Sequence, residues 1–137
     1  KKRNFDAYKY VTMFKPNLKE FCEGCKIERS TDTETLKPHA KKFMQKNNID
    51  ILMVTLSENG ILICTQKRYV HIPAQIRDIV DVSGAGDTVI SVASLLLTAT
   101  EDVEEIARIS NLAGGIVCEK VGVVPIDVEV LKRKIAE

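Results

Sequence analysis

Residues 84–87, Gly84-Ala85-Gly86-Asp87, set two glycines, a small residue and a carboxylate between an expected strand and an expected helix. Such glycines allow a sharp turn and let a ligand approach the backbone closely. At the start of a helix the amides of Ala85, Gly86 and Asp87 would point outward, where the dipole favours an anion. An anion hole beside a carboxylate suits phosphoryl transfer, since the amides hold the moving phosphate and the carboxylate accepts a hydroxyl proton. A purely structural role fits the same residues, with a tight Gly-Ala-Gly turn and Asp87 capping a helix.

Asn17-Leu18-Lys19-Glu20 is a second candidate. Asn17 and Glu20 share one helical face at the end of a strand. Glu20 could hold water on a magnesium ion, which needs only one or two carboxylates when phosphates supply other ligands. An N-cap with its Glu at N3 explains the pair equally well. Thr55-Leu56-Ser57-Glu58-Asn59-Gly60 follows a buried strand. Ligands of open α/β sheets bind at the carboxyl ends of strands, although an ordinary hairpin turn has the same composition. Three other features read as structural. Cys22-Glu23-Gly24-Cys25 has no second pair to complete a zinc site, and its first cysteine ends a helix instead of starting one. His39 and His71 have no partner spacing and read as surface or packing residues. Ala107, Ser110, Ala113, Gly114 and Gly115 favour close helix packing, although a flat purine could use the same space.

The elements that must position these groups follow from punctuation and periodicity. Tyr8 to Phe14 reads as a strand ended by Pro16, with Asn17 capping a short helix through Cys22. A second helix carries Leu36, Ala40, Phe43 and Met44. Its start is open between a Thr31/Glu34 capping box, which leaves Pro38 inside, and Thr35 as N-cap, which puts Pro38 in the first turn. Ile51-Leu52-Met53-Val54 is continuous and apolar, as in a strand buried on both faces of a parallel sheet. Residues 61–64 and 69–72 predict a hairpin around Gln66-Lys67, and Ile79-Val80 a short strand. After residues 83–86 an apolar helix runs to about Ala99. Asp102 and Glu105 open a long helix to about Glu119, and Pro125 starts a last one ending near Ala136. The order describes one α/β domain over residues 1–137, with no repeat and no linker.

Composition narrows the function classes. The 137 residues are 45% hydrophobic and 28% charged, which suits a packed soluble domain. A net charge of +1 provides no field for nucleic acid or acidic lipid. The longest apolar stretch, Val89 to Ala99, is shorter than the ~18 residues a membrane span needs. Four cysteines are too few for a disulfide scaffold. With no secretory signal visible, a cytoplasmic location is expected. There is no Walker A pattern and no dinucleotide G-x-G-x-x-G, so any handling of ATP needs another architecture.

Asp81-Val82-Ser83-Gly84-Ala85-Gly86-Asp87-Thr88 resembles the signature of the ribokinase-like (PfkB) carbohydrate kinases. Lys15-Pro16-Asn17-Leu18-Lys19-Glu20 is similar to that family's Asn-x-x-Glu segment. Residues 55–60 resemble its nucleotide loop, and Ser110-Asn111-Leu112-Ala113-Gly114-Gly115 its adenine-side helix. The four segments stand in the family's order along nearly the whole chain. Pro16-Asn17-Leu18-x-Glu20-Phe21, Ser57-Glu58-x-Gly60, His71-Ile72-Pro73 and Gly86-Asp87-Thr88-Val89-Ile90 resemble most the heptose 7-phosphate kinase branch of ADP-heptose synthesis, a route to lipopolysaccharide. Ser57 stands where the general family often has Gly.

The resemblance implies a three-layer α/β/α fold and ATP-dependent transfer of phosphate to a sugar hydroxyl. Asp87 would be the catalytic base, and Gly84, Ala85 and Gly86 the anion hole. Asn17 and Glu20 would organise magnesium and the phosphates. Thr55, Ser57 and Gly60 would touch the nucleotide, and Asn111 would flank the adenine. Asp81 and Ser83, joined by carbonyls near Lys120 and Gly122, would form a site for a monovalent cation such as potassium. Family members are longer, with sugar-binding residues and a sheet lid ahead of this region. The chain is therefore expected to be the C-terminal, nucleotide-binding part, inactive alone, with homodimerisation through the lid a further expectation. Other ribokinase-like sugar or nucleoside kinases, and a non-catalytic nucleotide-binding or assembly module, are the competing readings.

Overall fold

A computed structural model describes residues 2–75 and 78–137. The chain divides into two compact units, Lys1–His71 and Ile72–Glu137.

The first unit opens with a 3-10 segment, Lys2–Ala7, and a two-residue strand β1, Met13–Phe14. Helix α1, Leu18–Cys25, and helix α2, Thr33–Asn47, follow. The strands β2 (Ile51–Thr55), β3 (Ile61–Thr65) and β4 (Tyr69–Ile72) complete a sheet of order β1-β2-β3-β4, with Ile72 beginning the second unit. Strand β2 is parallel to β1, with Met13 opposite Ile51, and antiparallel to β3, with Leu52 opposite Cys64. The sheet is mixed, whereas the apolar run of β2 suggests a parallel one. Continuous burial of Ile51–Val54 does not distinguish a parallel from an antiparallel neighbour. Leu52, Val54, Leu62 and Cys64, at period two, put one sheet face into a core with Leu18, Phe21, Leu36, Phe43 and Met44. Phe5, Phe14 and Phe43 pack ring to ring at its end, with centroids 4.8–5.7 Å apart.

Local punctuation explains most boundaries. The β3–β4 hairpin turns at Gln66-Lys67 as expected: the Thr65 amide donates to the Arg68 carbonyl at 2.8 Å. The Thr65 hydroxyl accepts from the Lys67 and Arg68 amides, each at 3.2 Å. Helix α1 runs three residues beyond Cys22 and stops where Lys26 turns left-handed at φ 56°. The strand expected over Tyr8–Phe14 contracts to two residues, because Tyr10, at φ 56°, leaves extended geometry. Neither expected start of α2 is used. Asp32 is the N-cap, accepting from the Glu34 amide at 3.1 Å, the Thr35 amide at 3.3 Å and the Thr35 hydroxyl at 2.7 Å. A carboxylate caps better than a hydroxyl and also meets the helix dipole. Pro38 then lies inside the helix, without an N–H for the Glu34 carbonyl.

The second unit is helical: α3 (Ala85–Leu96), α4 (Val103–Cys118) and α5 (Val128–Ala136). Helix α4 packs on both of the others. Ile109, Leu112, Ala113, Ile116 and Leu131 form a core flanked by Val92, Leu96, Ile126, Val130 and Ile135. Asp102 caps α4 as expected, accepting from the Glu104 and Glu105 amides at 3.0 and 3.2 Å. Asp127 caps α5, so Pro125 precedes that helix instead of starting it. Ile79 and Val80 form no strand: the Val80 and Asp81 amides both donate to one acceptor, the Cys118 carbonyl, at 2.8 and 3.1 Å. Two neighbouring amides that converge on one carbonyl cannot alternate along a ladder. Among the described residues no helix is long and apolar enough to cross a membrane.

Candidate active site

The turn into α3 is set by Gly84, the N-cap, at φ 80° and ψ −7°. That conformation is open to glycine and costly for other residues. No side chain caps the helix. Asp87 is not the cap; it is an exposed residue in the first turn. The Ala85 amide turns back to the Val82 carbonyl at 3.3 Å, and the Thr88 amide opens the helical ladder to Gly84 at 2.9 Å. Between them the Gly86 and Asp87 amides meet no acceptor among the described residues. The second unit therefore presents two donors at a helix N-terminus, with one carboxylate on the same turn.

A clasp holds this turn from below. Asp81 Oδ1 accepts from the Ser83 amide at 2.9 Å, and Oδ2 accepts from the Gly122 amide at 2.8 Å. The Ser83 amide, the Ser83 hydroxyl and the Gly122 amide hold the Asp81 carboxyl below the usual carboxylate range. Asp81, Ser83 and the Gly122 loop, expected together from the resemblance, are thus brought together. The link runs through the Gly122 amide, where the resemblance implies carbonyls near Lys120 and Gly122. Above the clasp, a Cβ on Gly84 would lie 2.9 Å from Val123 Cγ1, so that glycine also makes room for the 121–123 segment. The oxygens of the Asp81 carboxylate and the Ser83 hydroxyl are acceptors of the type that a monovalent cation takes.

In the first unit Asn17 and Glu20 form a complete capping box for α1. The Glu20 amide donates to Asn17 Oδ1 at 2.8 Å, and the Asn17 amide donates to Glu20 Oε2 at 3.0 Å. The Thr55 amide donates to the Pro16 carbonyl at 3.1 Å, and Asn17 bridges Thr55 in parallel. Asn17, Glu20 and Thr55 therefore gather at the carboxyl end of β2. The 55–60 turn there is tightly closed: Asn59 N to Leu56 O at 3.1 Å, Gly60 N to Ser57 O at 3.0 Å and Leu56 N to Gly60 O at 2.7 Å. Ser57 carries φ 55° and Gly60 φ 87°, so the glycine expected in the general family at 57 would relieve a left-handed serine. No three acidic, histidine or cysteine side chains among the described residues converge on one point. Magnesium held by one carboxylate and substrate phosphates needs no such cage, and Glu20 fits that role.

Two residues have assignments that spacing alone did not reveal. Asn111, on α4, donates through Nδ2 to the Pro73 carbonyl at 3.0 Å. His71, read from sequence as a surface or packing residue, sets Nε2 2.6 Å from the Asn59 carbonyl. The signal for His71 was the hairpin: a two-residue turn returns β4 toward the start of β3, where the 57–60 turn ends. Cys22 and Cys25 are both free thiols, and burial pushes the Cys25 thiol up to about 11, which disfavours the thiolate that redox chemistry needs.

Residues 4–129 match the family described as pfkB family carbohydrate kinase. The chain is 39% identical over 139 aligned positions to the bifunctional protein HldE of Syntrophotalea carbinolica, covering 99% of this chain and 28% of that protein. It is 35% identical to the bifunctional protein HldE of Pseudomonas putida, covering 98% of this chain and again 28% of the relative. The chain thus spans under a third of these curated relatives. Its fold is similar to that of ribokinase from Thermotoga maritima, with TM-score 0.82 and 20% identity, over 98% of this chain and 45% of that one. It is likewise similar to phosphofructokinase-2 from Escherichia coli, with TM-score 0.85 and 19% identity, over 96% of this chain and 42% of that one. These likenesses show the ribokinase-like fold.

Proposed function

The chain belongs to the pfkB family of carbohydrate kinases, and on that footing we propose that it supplies the nucleotide-handling and base-bearing residues of an ATP-dependent sugar kinase acting on heptose 7-phosphate. The observation that carries this reading is the α3 N-terminus. The Gly86 and Asp87 amides, which meet no acceptor among the described residues, stand on one turn with an exposed carboxylate.

Asp87 accepts the proton of the anomeric hydroxyl as that oxygen attacks the γ-phosphorus of ATP. The new bond is sugar oxygen to phosphorus, and the bond broken is from the γ-phosphorus to the oxygen bridging it to the β-phosphate. The Gly86 and Asp87 amides, with the dipole of α3 behind them, offset charge on the transferring phosphoryl group. Gly84 keeps those amides turned outward. Glu20 and Asn17 hold the magnesium-bound phosphates, magnesium supplying charge neutralisation when bound. Thr55, Ser57 and Gly60 line the nucleotide, and Asn111 flanks the adenine. Asp81 and Ser83 would hold potassium, which would add positive charge near the phosphates. The sugar-reading residues and the lid belong to the rest of a longer polypeptide, which acts in the cytoplasm. The 137 residues alone bind adenine nucleotide weakly and turn over little.

The test is Asp87→Asn in the full-length protein. Loss of a general base should cut turnover by ~10²–10⁴-fold, with affinity for magnesium-ATP nearly intact. A variant with full turnover would remove Asp87 from the role.

A further inference from the structure

The turn read above as the nucleotide loop is one short 3-10 helix, Ser57–Asn59, closed at Gly60. Two of its positions have left-handed backbones, Ser57 at φ 55° and Gly60 at φ 87°. Its three internal hydrogen bonds all join residues 56–60 to one another, so they fix the shape of the turn. The β2–β3 ladder holds the two ends of the turn at Thr55 and Ile61, and none of the three bonds holds the turn's outer residues to another element. The last carbonyls of a helical turn lack intrahelical donors. One of these, Asn59 O, is met from outside the turn by the side chain of His71 at the end of β4, 2.6 Å away. A carbonyl only accepts, so Nε2 carries the hydrogen in this contact. The pair joins residues 12 apart in sequence and ties the turn to the sheet's last strand.

We infer that His71 is a positioning residue for the nucleotide: it aims the 55–60 turn by holding the Asn59 carbonyl, and it touches no substrate itself. The inference rests on the reading of residues 55–60 as the nucleotide loop. His71 is exposed and outside the hydrophobic core, so its removal should leave the fold intact. A turn that keeps its shape but loses its aim binds nucleotide less well, while the base at Asp87 is untouched.

The experiment is steady-state kinetics on the full-length protein with His71→Leu, His71→Asn and His71→Gln, with thermal melts run alongside. A glutamine amide nitrogen reaches about as far as Nε2, and an asparagine amide falls short of it. His71→Leu and His71→Asn should raise KM for ATP by about three- to ten-fold, the value of one such hydrogen bond, with kcat and melting temperature nearly unchanged. His71→Gln should restore KM. An unchanged KM in His71→Leu, or no recovery in His71→Gln, overturns the inference. Thr55→Val separates the two failures. If it raises KM for ATP and His71→Leu does not, His71 alone is misassigned; if neither does, the loop reading falls with it.

Discussion

Replacing Gly84 by alanine tests how the turn into α3 is built. Two costs can be worked out. The backbone at φ 80° lies where an L side chain costs ~1–2 kcal/mol. The new Cβ would sit 2.9 Å from Val123 Cγ1 and 3.6 Å from Val123 Cβ and Cγ2. Overpacking of this kind costs ~1–3 kcal/mol, and here the low end applies because Val123 is 76% exposed and has room to move. Against these stands ~0.4–1 kcal/mol from the stiffer unfolded chain. The net expectation is a loss of ~1–3 kcal/mol, measured by urea unfolding of the chain. A cycle with Val123→Ala apportions the loss. In that background the steric part disappears and the backbone part remains, so Gly84→Ala should cost ~1 kcal/mol. Equal costs in the two backgrounds would refute the Val123 contact. A cost under ~0.5 kcal/mol in wild type, the range of an indifferent surface change, would refute the strained-turn argument altogether. On the proposed function, the same substitution in the full-length protein should displace the Gly86 and Asp87 amides, so that kcat falls more than KM rises.

Three further expectations follow from other parts of the molecule. Asp81 has its folded pKa depressed below the ordinary 3.8, so its clasp stabilises above that value and the stabilisation is lost as pH falls through the folded pKa. The difference in melting temperature between wild type and Asp81→Asn should therefore be full at neutral pH and shrink as the pH falls below 3.8 in scanning calorimetry. Gly114→Ala puts a Cβ 2.7 Å from Val89 Cγ2 inside the α3–α4 packing. The overpacking of ~1–3 kcal/mol should outweigh the ~1 kcal/mol gained in helix propensity, and Val89→Ala should relieve it, both read by denaturant titration. Burial pushes Cys25 up to about 11 and Cys64 up to about 12, so at pH 8 about one Cys25 thiol in a thousand is ionised. Native protein should react with a thiol reagent at neither site until denaturant is added; rapid native labelling of Cys25, followed by mass spectrometry, would contradict its burial.

What was legible in the sequence was local. Asn17 and Glu20 form their capping box because both partners lie within one turn. Asp102 caps α4, and Gln66-Lys67 turns the hairpin, for the same reason. Gly84 could be read as a turn glycine, since few residues other than glycine adopt its backbone. Decisions between two local signals were harder. Thr31, Thr35 and Asp32 compete to start α2, and the carboxylate prevails with three hydrogen bonds at the expense of Pro38 inside the helix. Ile79 and Val80 have the side chains of a strand, but a strand needs a partner ladder, and the Val80 and Asp81 amides instead converge on one helix-terminal carbonyl.

Three of the contacts beyond local reach share one form, a side chain holding the backbone of a distant loop. Asp81 takes the amide of Gly122, 41 residues away; Asn111 takes the carbonyl of Pro73, 38 away; His71 takes the carbonyl of Asn59. A backbone amide or carbonyl carries no residue signature, so nothing at positions 122, 73 or 59 advertises its partner. The side chain's identity is visible in the sequence but the use made of it is not, which is why His71 reads as an idle surface residue. Groups proposed for chemistry, as Asp87 is, can be picked out because the reaction fixes their type. The residues that aim them are fixed only by distance, and a loop that must be held in one direction will have such a residue wherever the fold returns a strand or helix to it.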